Sequence, residues 1–360
     1  AAALVCVLPV SAQTPPDLKH FTTFTLTGDY VVAGIDLLPQ SQGNGFVTGT
    51  IQVSGVPANA DIVAAYLYWE TIWSHPDQLE GARFRGEPVS AVKSSTVSLV
   101  GPYSPCWSNG GDNLTMMRAD VRRLLPPQLD AQGNPTGKRV VNHADLLKYQ
   151  QQFPDDNWLL TISLPEAGTG NKLPQSAGAS LLIVYRNPDP QPNDPLQPLK
   201  SIVVYDGLHL QTPGEITTHT IRGFMQSSLS NSAARFSSIV GSGAPNDTDR
   251  VAFRSGGSFA VVGTNSFTRA GGGTSDRAWS NPTFPVTLTN MPATATEYGE
   301  QVQTRVDHTS TTPFGCLAWA ATVFSTEVQD ADVDGLIDVL ESTSGLKNPA
   351  DESFPNLANM

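Results

Sequence analysis

The stretch Ile62-Val63-Ala64-Ala65-Tyr66-Leu67-Tyr68-Trp69 is apolar at every position. Successive side chains of a β-strand point to opposite faces, so a strand with one wet face alternates apolar and polar residues. This run has no such alternation, and it is rich in aromatic and small apolar side chains. We therefore predict a central strand that is covered on both faces, packed between a sheet and loops.

Strand-like patterns continue on both sides of this run. They are rich in β-branched and aromatic residues, and Gly, Pro, Asn or Ser bound them. The predicted strands are Phe21–Leu37, Phe46–Val53, Ile62–Trp73, Trp158–Leu164, Ala179–Tyr185, Ile202–Tyr205, Val251–Phe253, Phe259–Val262 and Leu317–Phe324. Most of them alternate, which predicts an all-β fold: an antiparallel, jelly-roll-like β-sandwich.

Helices are predicted to be few and short. The candidates are Met116–Leu125, which ends at Pro126-Pro127, then Ala144–Gln151 with Asn142 as its N-cap, and Thr220–Ser228. The composition agrees, because only 15% of the 360 residues are charged while 31 are Gly and 28 are Pro. Such a chain has many turns and few surface helices.

The formal charge of −12 argues against nucleic acid and anionic lipid as partners. Much of that charge is local, since the C-terminal region sets eight acidic residues against Lys347 alone. They are Glu327, Asp330, Asp332, Asp334, Asp338, Glu341, Asp351 and Glu352. This concentration indicates a site and not a general surface property.

The N-terminal residues 1–12 resemble the end of a signal peptide. An apolar run too short to span a bilayer precedes Val10-Ser11-Ala12, and polar residues follow it. Val10 and Ala12 satisfy the small-residue rule for cleavage, which predicts export and no transmembrane segment. The alternative is a buried N-terminal strand. Cys6 follows Val5, which does not fit a lipid-attachment site.

Removal of residues 1–12 would leave two cysteines, Cys106 and Cys316. In an oxidising compartment an even count predicts a disulfide between them. It would close a long loop, for which chain entropy suggests at most about 5 kcal/mol. The alternative is two buried free thiols.

The Pro-rich segment 187–195 separates two strong strands. It could link two domains, but an enlarged turn is preferred, because the strands that flank it are expected to pair as a hairpin. The predicted organisation is then a signal remnant at 1–12, a β-sandwich body at 13–327, and a calcium-loop segment at 328–360.

One motif is specific: Asp330-Ala331-Asp332-Val333-Asp334-Gly335-Leu336-Ile337-Asp338-Val339-Leu340-Glu341. It fits the twelve-residue calcium loop, whose oxygen ligands come from positions 1, 3, 5, 7, 9 and 12. Here these are Asp330, Asp332, Asp334, the Leu336 carbonyl, Asp338 and bidentate Glu341. Gly335 supplies the sharp turn. We predict Ca²⁺ as the cofactor; the alternative is an acidic turn without metal.

The segment from Asp330 to Asp351 resembles the thrombospondin type 3 repeats of exported proteins. The loop is followed there by Gly345 and by the turn Asn348-Pro349. The resemblance implies a rigid spacer held by calcium, and not a sensor. Because such repeats come in arrays, we expect further domains beyond residue 360 in the parent protein.

The body resembles a family of uncharacterised bacterial surface proteins with a β-sandwich. The matching fragments are Gly28-Asp29-Tyr30, Ala65-Tyr66-Leu67-Tyr68-Trp69, Val204-Tyr205-Asp206-Gly207, Gly223-Phe224 and Cys316-Leu317-Ala318-Trp319. The resemblance implies an exported, surface-associated role and assigns no catalytic residue.

The other candidates are weaker. The six histidines are isolated, and the common hydrolase, nucleotide-binding and zinc motifs are absent from the sequence. Two groups could form a sugar site: Asp155, Asp156 and Trp158, and Trp69, Glu70 and Trp73. The loop Asn246-Asp247-Thr248-Asp249 could hold a second calcium ion, although a plain turn is the simpler interpretation.

These observations predict a non-enzymatic, extracellular or cell-surface protein for adhesion, display or matrix structure. Its expected partner is a surface ligand, a carbohydrate or a protein. The alternative function is a secreted carbohydrate-binding or glycoside-hydrolysing protein.

Overall fold

The computed structural model describes residues 18–37, 45–75, 81–98, 112–167, 173–188, 198–224, 232–243, 248–268, 278–289, 291, 300–309 and 316–330. This part of the chain is built almost entirely of antiparallel strands. The first eleven are β1 (Lys19–Asp36), β2 (Phe46–Thr50), β3 (Asp61–Trp73), β4 (Arg83–Phe84), β5 (Glu87–Pro88), β6 (Val92–Ser98), β7 (Asn113–Asp120), β8 (Pro127–Leu129), β9 (Pro135–Arg139), β10 (Thr161–Pro165) and β11 (Gln175–Arg186).

The remaining strands are β12 (Leu199–Gln211), β13 (Ile216–Phe224), β14 (Ser232–Gly243), β15 (Arg250–Arg254), β16 (Ala260–Thr264), β17 (Ala278–Ser280), β18 (Thr283–Leu288), β19 (Glu300–Asp307) and β20 (Leu317–Glu327). The helical elements of the described residues are α1 (His143–Gln152) and a single 3-10 turn, Arg122–Leu124. The predicted all-β, antiparallel sandwich class is confirmed.

The central sheet has ten strands and is organised around β1. Residues 28–36 of β1 pair with β11, and residues 19–27 pair with β12. The β11 half of the sheet contains β11, β3, β7 and β6, and the β12 half contains β12, β20, β14, β17 and β18. An inner apolar cluster draws side chains from both halves, among them Tyr68, Leu182, Val204 and Val323, so the two halves face each other.

Two smaller sheets cover the outer faces. The β2 sheet, in the order β2-β10-β4-β5, shares a second cluster with the outer face of the β11 half, which includes Leu67, Trp69 and Ile183. The β13 sheet, in the order β13-β19-β15-β16, shares a third with Val203, Trp319 and other residues of the β12 half. The result is a stack of four layers with three apolar cores.

This stacking explains the apolar run at 62–69. Ala64 and Tyr68 enter the inner cluster, while Ala65, Leu67 and Trp69 enter the cluster under the β2 sheet. A strand covered on both faces needs no polar face, as in parallel sheets that are buried on both sides. The predicted double coverage is confirmed, although the covering elements are sheets and not sheet and loops.

The prediction that the strands on either side of the Pro-rich segment pair as a hairpin is wrong. β11 and β12 do not pair with each other, because β1 lies between them and pairs with both. β1 is 18 residues long, which is long enough for β11 to use one end and β12 the other. Residues 189–197 lie outside the described residues.

One of the three predicted helices is confirmed. α1 begins behind Asn142, whose side chain accepts a hydrogen bond from the Ala144 N–H at 2.9 Å. The other two predictions are wrong where the structure describes them, since 116–120 belongs to β7 and 220–224 to β13. In β7, Met116 and Met117 enter clusters on opposite faces, so burial on both sides overrides helix propensity.

Candidate functional site

The predicted calcium loop meets the described residues only at Asp330, which is half-buried after β20. Asp332, Asp334, Leu336, Asp338 and Glu341 lie outside them, so the loop stays a prediction. Within the described part of the chain, no group of three or more His, Cys, Asp or Glu side chains is arranged to hold a metal ion. The helix present there is not long and apolar enough to cross a membrane.

Most of the other sequence candidates for calcium binding and export lie outside the described residues. Residues 1–12, Cys106, Asn246 and Asp247 lie outside the described residues. Asp249 is described and turns inward, because its Oδ1 lies 2.6 Å from Nδ1 of the buried His308. This pair ties the start of β15 to the end of β19, which is a structural role.

The structure does not bring the proposed sugar-site residues together. Trp69 is buried under the β2 sheet, whereas Glu70 follows it on the opposite face of β3, toward the β12 half. Asp156 accepts a hydrogen bond from Tyr149 and pairs with Arg85 at 3.2 Å, near the end of α1. Trp158 lines only a small cavity of about 120 Å³ beside His143.

Asp206 forms a buried polar cluster between the halves of the central sheet. The Tyr68 hydroxyl donates to Oδ2 of Asp206 at 3.1 Å, and Arg118 forms an ion pair with the same oxygen. The Arg118 guanidinium also lies 3.5 Å from the centre of the Phe21 ring. Burial, and then the Asp206 charge, raise the pKa of Tyr68, so it stays a neutral donor.

Glu70 is a second buried group of the same interface, and it is 4% exposed. Among the described residues, its Oε1 has no hydrogen-bond partner. Gly241 of β14 leaves room for this carboxyl, because a Cβ at Gly241 would overlap it and touch Trp279. Desolvation holds the pKa of Glu70 well above its usual range, which favours the protonated side chain.

Two histidines flank Tyr205 under the β13 sheet. The His20 and His219 rings lie 5.6 and 4.9 Å from the Tyr205 ring, each edge to face. Burial lowers the pKa of His20 to about 4. Burial, and then the neighbouring His209, lower the pKa of His219 to about 4 as well. Both ring nitrogens of His219 are buried without a hydrogen-bond partner in the described structure.

Beyond residue 27, one edge of β1 has no paired strand among the described residues. The register between β1 and β11 is unbroken, and one backbone hydrogen bond lies at each end of it. At one end the Leu37 N–H donates to the Ala177 carbonyl at 2.9 Å. At the other end the Asn187 N–H donates to the Thr27 carbonyl, also at 2.9 Å. In an antiparallel pair, bonded and non-bonded positions alternate. The odd-numbered residues of β1 therefore bond to β11, and the even-numbered ones direct N–H and C=O away from it.

Two side chains confirm this direction. Asn281 Nδ2 donates to the Val32 carbonyl at 3.2 Å, and Arg235 donates to the Tyr30 carbonyl. Farther along, the Val32 N–H and the backbone of Gly34 face a groove of about 540 Å³, where no described strand pairs with them. We name this feature the β1-edge groove; it is lined by Val31, Val32, Ala33, Gly34, Ile35, Asp36, Thr50, Gln52, Ser54 and Asn281.

The groove has two walls from different layers. Residues 49–55 cross the outer face of β1, where Gly49 packs on Ile35 and Gly55 on Val31, and Thr50, Gln52 and Ser54 follow this path. On the inner face, Asn281 lies so close that a Cβ at Gly34 would overlap its Oδ1. The β1 edge thus forms the floor of a recess between two layers.

Sequence reasoning missed this groove and the three buried polar clusters. The groove depends on which edge of β1 stays unpaired, and no local pattern encodes strand order. A partial signal was present, since Gly34 interrupts the otherwise apolar run at residues 30–35, and such a glycine often marks a close approach by another group.

Comparison with known proteins assigns no family. No family model matches the chain, and no curated protein matches it. Among solved structures, the chain is similar to infectious bursal disease virus of the Gx strain, with 12% identity, coverage of 91% of this chain and 77% of that one, and a TM-score of 0.25.

The VP2 subviral particle of infectious bursal disease virus also matches, with 11% identity, coverage of 91% and 77%, and a TM-score of 0.25. The Gt strain matches with 11% identity, coverage of 91% and 78%, and a TM-score of 0.19. At such TM-scores the backbones do not superimpose as wholes, so these likenesses carry no argument.

Proposed function

We propose that the chain is a non-enzymatic, exported protein of a cell surface or extracellular matrix, in which a rigid β body displays a binding site. Calcium stabilises the segment at 328–360 through Asp330, Asp332, Asp334, Leu336, Asp338 and Glu341. The ligand is a surface partner and not nucleic acid.

The observation that carries this proposal is where the polar groups lie: charged pairs lie in the interior, and hydrogen-bonding groups line the recess at the β1 edge. Among the interior charges that the structure describes, Arg118–Asp206 joins the two halves of the central sheet, and His308–Asp249 joins neighbouring strands of the β13 sheet. The recess at the β1 edge is lined by backbone, by apolar side chains, by the single carboxylate of Asp36 and by neutral polar side chains such as Thr50 and Ser54. Such a lining suits binding by hydrogen bonds, since backbone amides are strong donors and acceptors but poor acids and bases.

Further support comes from the cysteine pattern. Cys316 is fully buried at the start of β20. We infer that it forms a disulfide with Cys106, which lies outside the described residues. Persistent disulfides form in oxidising compartments, so this pairing agrees with export.

The test is surface accessibility in intact bacterial cells that express the full chain with a C-terminal tag. We expect a non-permeant protease to remove the tag from intact cells and to leave a cytoplasmic control protein uncut. A matched variant, Ala12→Asp, alters the predicted cleavage site and should leave unprocessed precursor. A tagged chain that is protected in intact cells, with no processed form, would contradict the proposal.

A further inference from the structure

We propose that the outer face of the β13 sheet binds an acidic polysaccharide, whose carboxylate groups contact Arg254 and Arg305. We call this surface the arginine face; it is formed by Thr220, Arg254, Phe259, Val261, Gln303 and Arg305. The inference rests on the proposed display function and names the chemical class of the ligand.

The strand register places these side chains on one side of the β13 sheet. Arg254 of β15 lies opposite Gln303 of β19, and Arg305, two residues farther along β19, is its diagonal neighbour. Side chains alternate along a strand, so both β19 side chains point away from Val302 and Val306. Those two valines belong to the apolar cluster that the β13 sheet shares with the β12 half. The arginine face therefore points outward from the stack of layers.

The two central arginines are held by their Nε atoms and by one aromatic ring. Arg254 Nε donates to Gln303 Oε1 at 2.5 Å, and Arg305 Nε donates to Asp307 Oδ1 at 2.6 Å. Their guanidinium carbons lie 4.5 and 5.8 Å from the centre of the Phe259 ring. No described residue accepts a hydrogen bond from the Nη atoms of either arginine. Two oriented pairs of donors are thus available to a carboxylate from outside.

Arginines elsewhere in the described structure use their Nη atoms internally. Arg85 Nη1 donates to the Leu124 carbonyl, and its Nη2 lies 3.2 Å from a carboxylate oxygen of Asp156. Arg139 Nη1 donates to the Leu125 carbonyl at 2.9 Å. These contacts give those arginines a role in holding the fold together. The arginine face has no such internal use for its Nη atoms, which favours an external anion.

The charge of this surface is positive although the whole chain carries −12. Arg250 lies two residues before Arg254 on the same side of β15, opposite Asp307. Asp307 itself contacts Arg305. Three arginines therefore share the surface with one described carboxylate, and the arginine face attracts anions locally.

The other carboxylates of the strands and turns beside the arginine face point elsewhere. Glu300 lies on the inner side of β19 and is 8% exposed. Glu215 turns back to the end of β12, where it accepts hydrogen bonds from the N–H and the hydroxyl of Thr212. Asp249 is buried against His308. None of these three described side chains neutralises the arginine face.

The remaining side chains suit a sugar better than a peptide. The backbone groups of paired strands are bonded in the ladders, so a sheet face offers side chains alone, whereas extended peptides bind through backbone groups at sheet edges. Gln303 accepts from Arg254 and donates to Thr220 at 2.8 Å. Amides and hydroxyls both donate and accept, as sugar hydroxyls do. Val261, which is 44% exposed, offers apolar contact to the carbon side of a sugar ring.

The overall charge limits how densely charged the ligand can be. A chain of −12 repels a polyanion with closely spaced charges, such as nucleic acid. A polysaccharide whose carboxylates are separated by neutral sugars meets less repulsion and still supplies anions to Arg254 and Arg305. The favoured ligand is therefore a sparsely charged polymer that contains uronic acid.

Binding of hyaluronan to the full chain, measured by surface plasmon resonance, tests the proposal. We expect binding that weakens with added salt. In the double variant Arg254→Ala with Arg305→Ala, it should weaken at least about tenfold because charge-assisted hydrogen bonds are lost.

The matched control is Arg123→Ala with Arg186→Ala, which removes the same charge from exposed positions on other elements. It should bind hyaluronan within about twofold of the wild type, since it leaves the contacts of the arginine face intact. Both double variants should melt near the wild type, because all four positions lie at the surface.

Three further polymers separate the classes of ligand. Dextran has sugar hydroxyls without carboxylates and should not bind. Poly-glutamate and oligothymidylate carry anions on a peptide and on a nucleic acid backbone, and each should bind at least about tenfold more weakly than hyaluronan.

Three results would overturn the inference. They are a wild-type chain that does not bind hyaluronan, equal losses of binding in the two double variants, and binding of poly-glutamate or oligothymidylate as tight as that of hyaluronan. In each case the protease result on intact cells stands by itself. A surface-exposed chain that gives one of these results rejects the polysaccharide alone, while a protected chain rejects the display function.

Discussion

The hydroxyl of Tyr68 on β3 donates a hydrogen bond to the Asp206 carboxylate on β12 at 3.1 Å, across the interface between the two halves of the central sheet. Arg118 on β7 binds the same carboxylate. Three strands that are distant in sequence are thus joined by one acidic side chain. Asp206 thereby fixes how the two halves sit on each other.

We expect Asp206→Ala to destabilise the fold by about 3 kcal/mol or more, because it leaves the largely buried Arg118 without its counter-ion. Urea denaturation measures this loss. The double variant Asp206→Ala with Arg118→Met should recover part of it, since no charge is then stranded. The matched control is Asp156→Ala, whose pair with Arg85 is 47% exposed at the carboxylate and should cost under about 1 kcal/mol. Equal losses from the two aspartates would contradict this role.

Glu70→Gln should stabilise the protein increasingly as pH rises. Burial raises the folded pKa of Glu70, so its favourable contribution is complete below the unfolded pKa, near 4.5, and is lost as pH rises toward the folded pKa. Gln keeps the shape and never ionises. Over that window the two stability curves should diverge by up to about 1.4 kcal/mol per pH unit.

Thermal unfolding at pH 5, 7 and 9 measures this divergence. The exposed Glu87→Gln is the control and should follow the wild type at every pH. If the stability curve of Glu70→Gln also ran parallel to the wild-type curve, Glu70 would be ionised in the folded protein, which would contradict this prediction.

His219→Leu should protect the protein against acid. Burial lowers the folded pKa of His219 to about 4 from 6.5, so its neutral form contributes stability above pH 6.5, which is lost as pH falls toward 4. The wild type should lose about 3 kcal/mol over this window through His219, by the usual conversion of pKa shifts into free energy.

Urea midpoints between pH 4 and 8 test this prediction. The leucine variant should show a shallower loss, and the exposed His75→Leu control should show the wild-type slope. If all three proteins lose stability with the same slope as pH falls, His219 is not the source of the acid sensitivity.

Calcium should bind once, with a dissociation constant of about 0.1–1 mM, as in extracellular modules. Calorimetric titration of the full chain measures it. Asp330→Ala and Glu341→Ala should each abolish the heat, since both are predicted ligands, whereas the nearby Asp351→Ala should keep it. In chelator, protease should cut within 328–360 and leave the β body intact. If no heat of binding is measured at several millimolar calcium, the predicted calcium loop does not bind the metal, and calcium has no part in the proposed function.

Local patterns were sufficient for much of the fold. Nine strands were predicted from period and composition, and a strand overlaps each of them, because side-chain alternation and β-branched residues act over a few positions. α1 was predicted from its Asn142 cap for the same reason. β7 was mistaken for a helix, since its two buried faces make a pattern that short-range reasoning cannot distinguish from helical spacing.

The candidate sites divide in the same way. The calcium loop was predicted because all of its ligands lie within twelve residues of sequence. The β1-edge groove and the Tyr68–Asp206 bond were not, since Gly34 meets Asn281, and Tyr68 meets Asp206, only after separate layers have stacked.

Local sequence patterns predicted antiparallel strands, the coverage of residues 62–69 on both faces, and a match of twelve consecutive residues to a calcium loop. Only the folded structure shows that β1 lies between β11 and β12 and that four layers stack around three cores. The physical reason is range: strand propensity and ligand spacing are properties of neighbouring residues. Strand order and layer packing depend instead on the apolar surface that distant segments bury together.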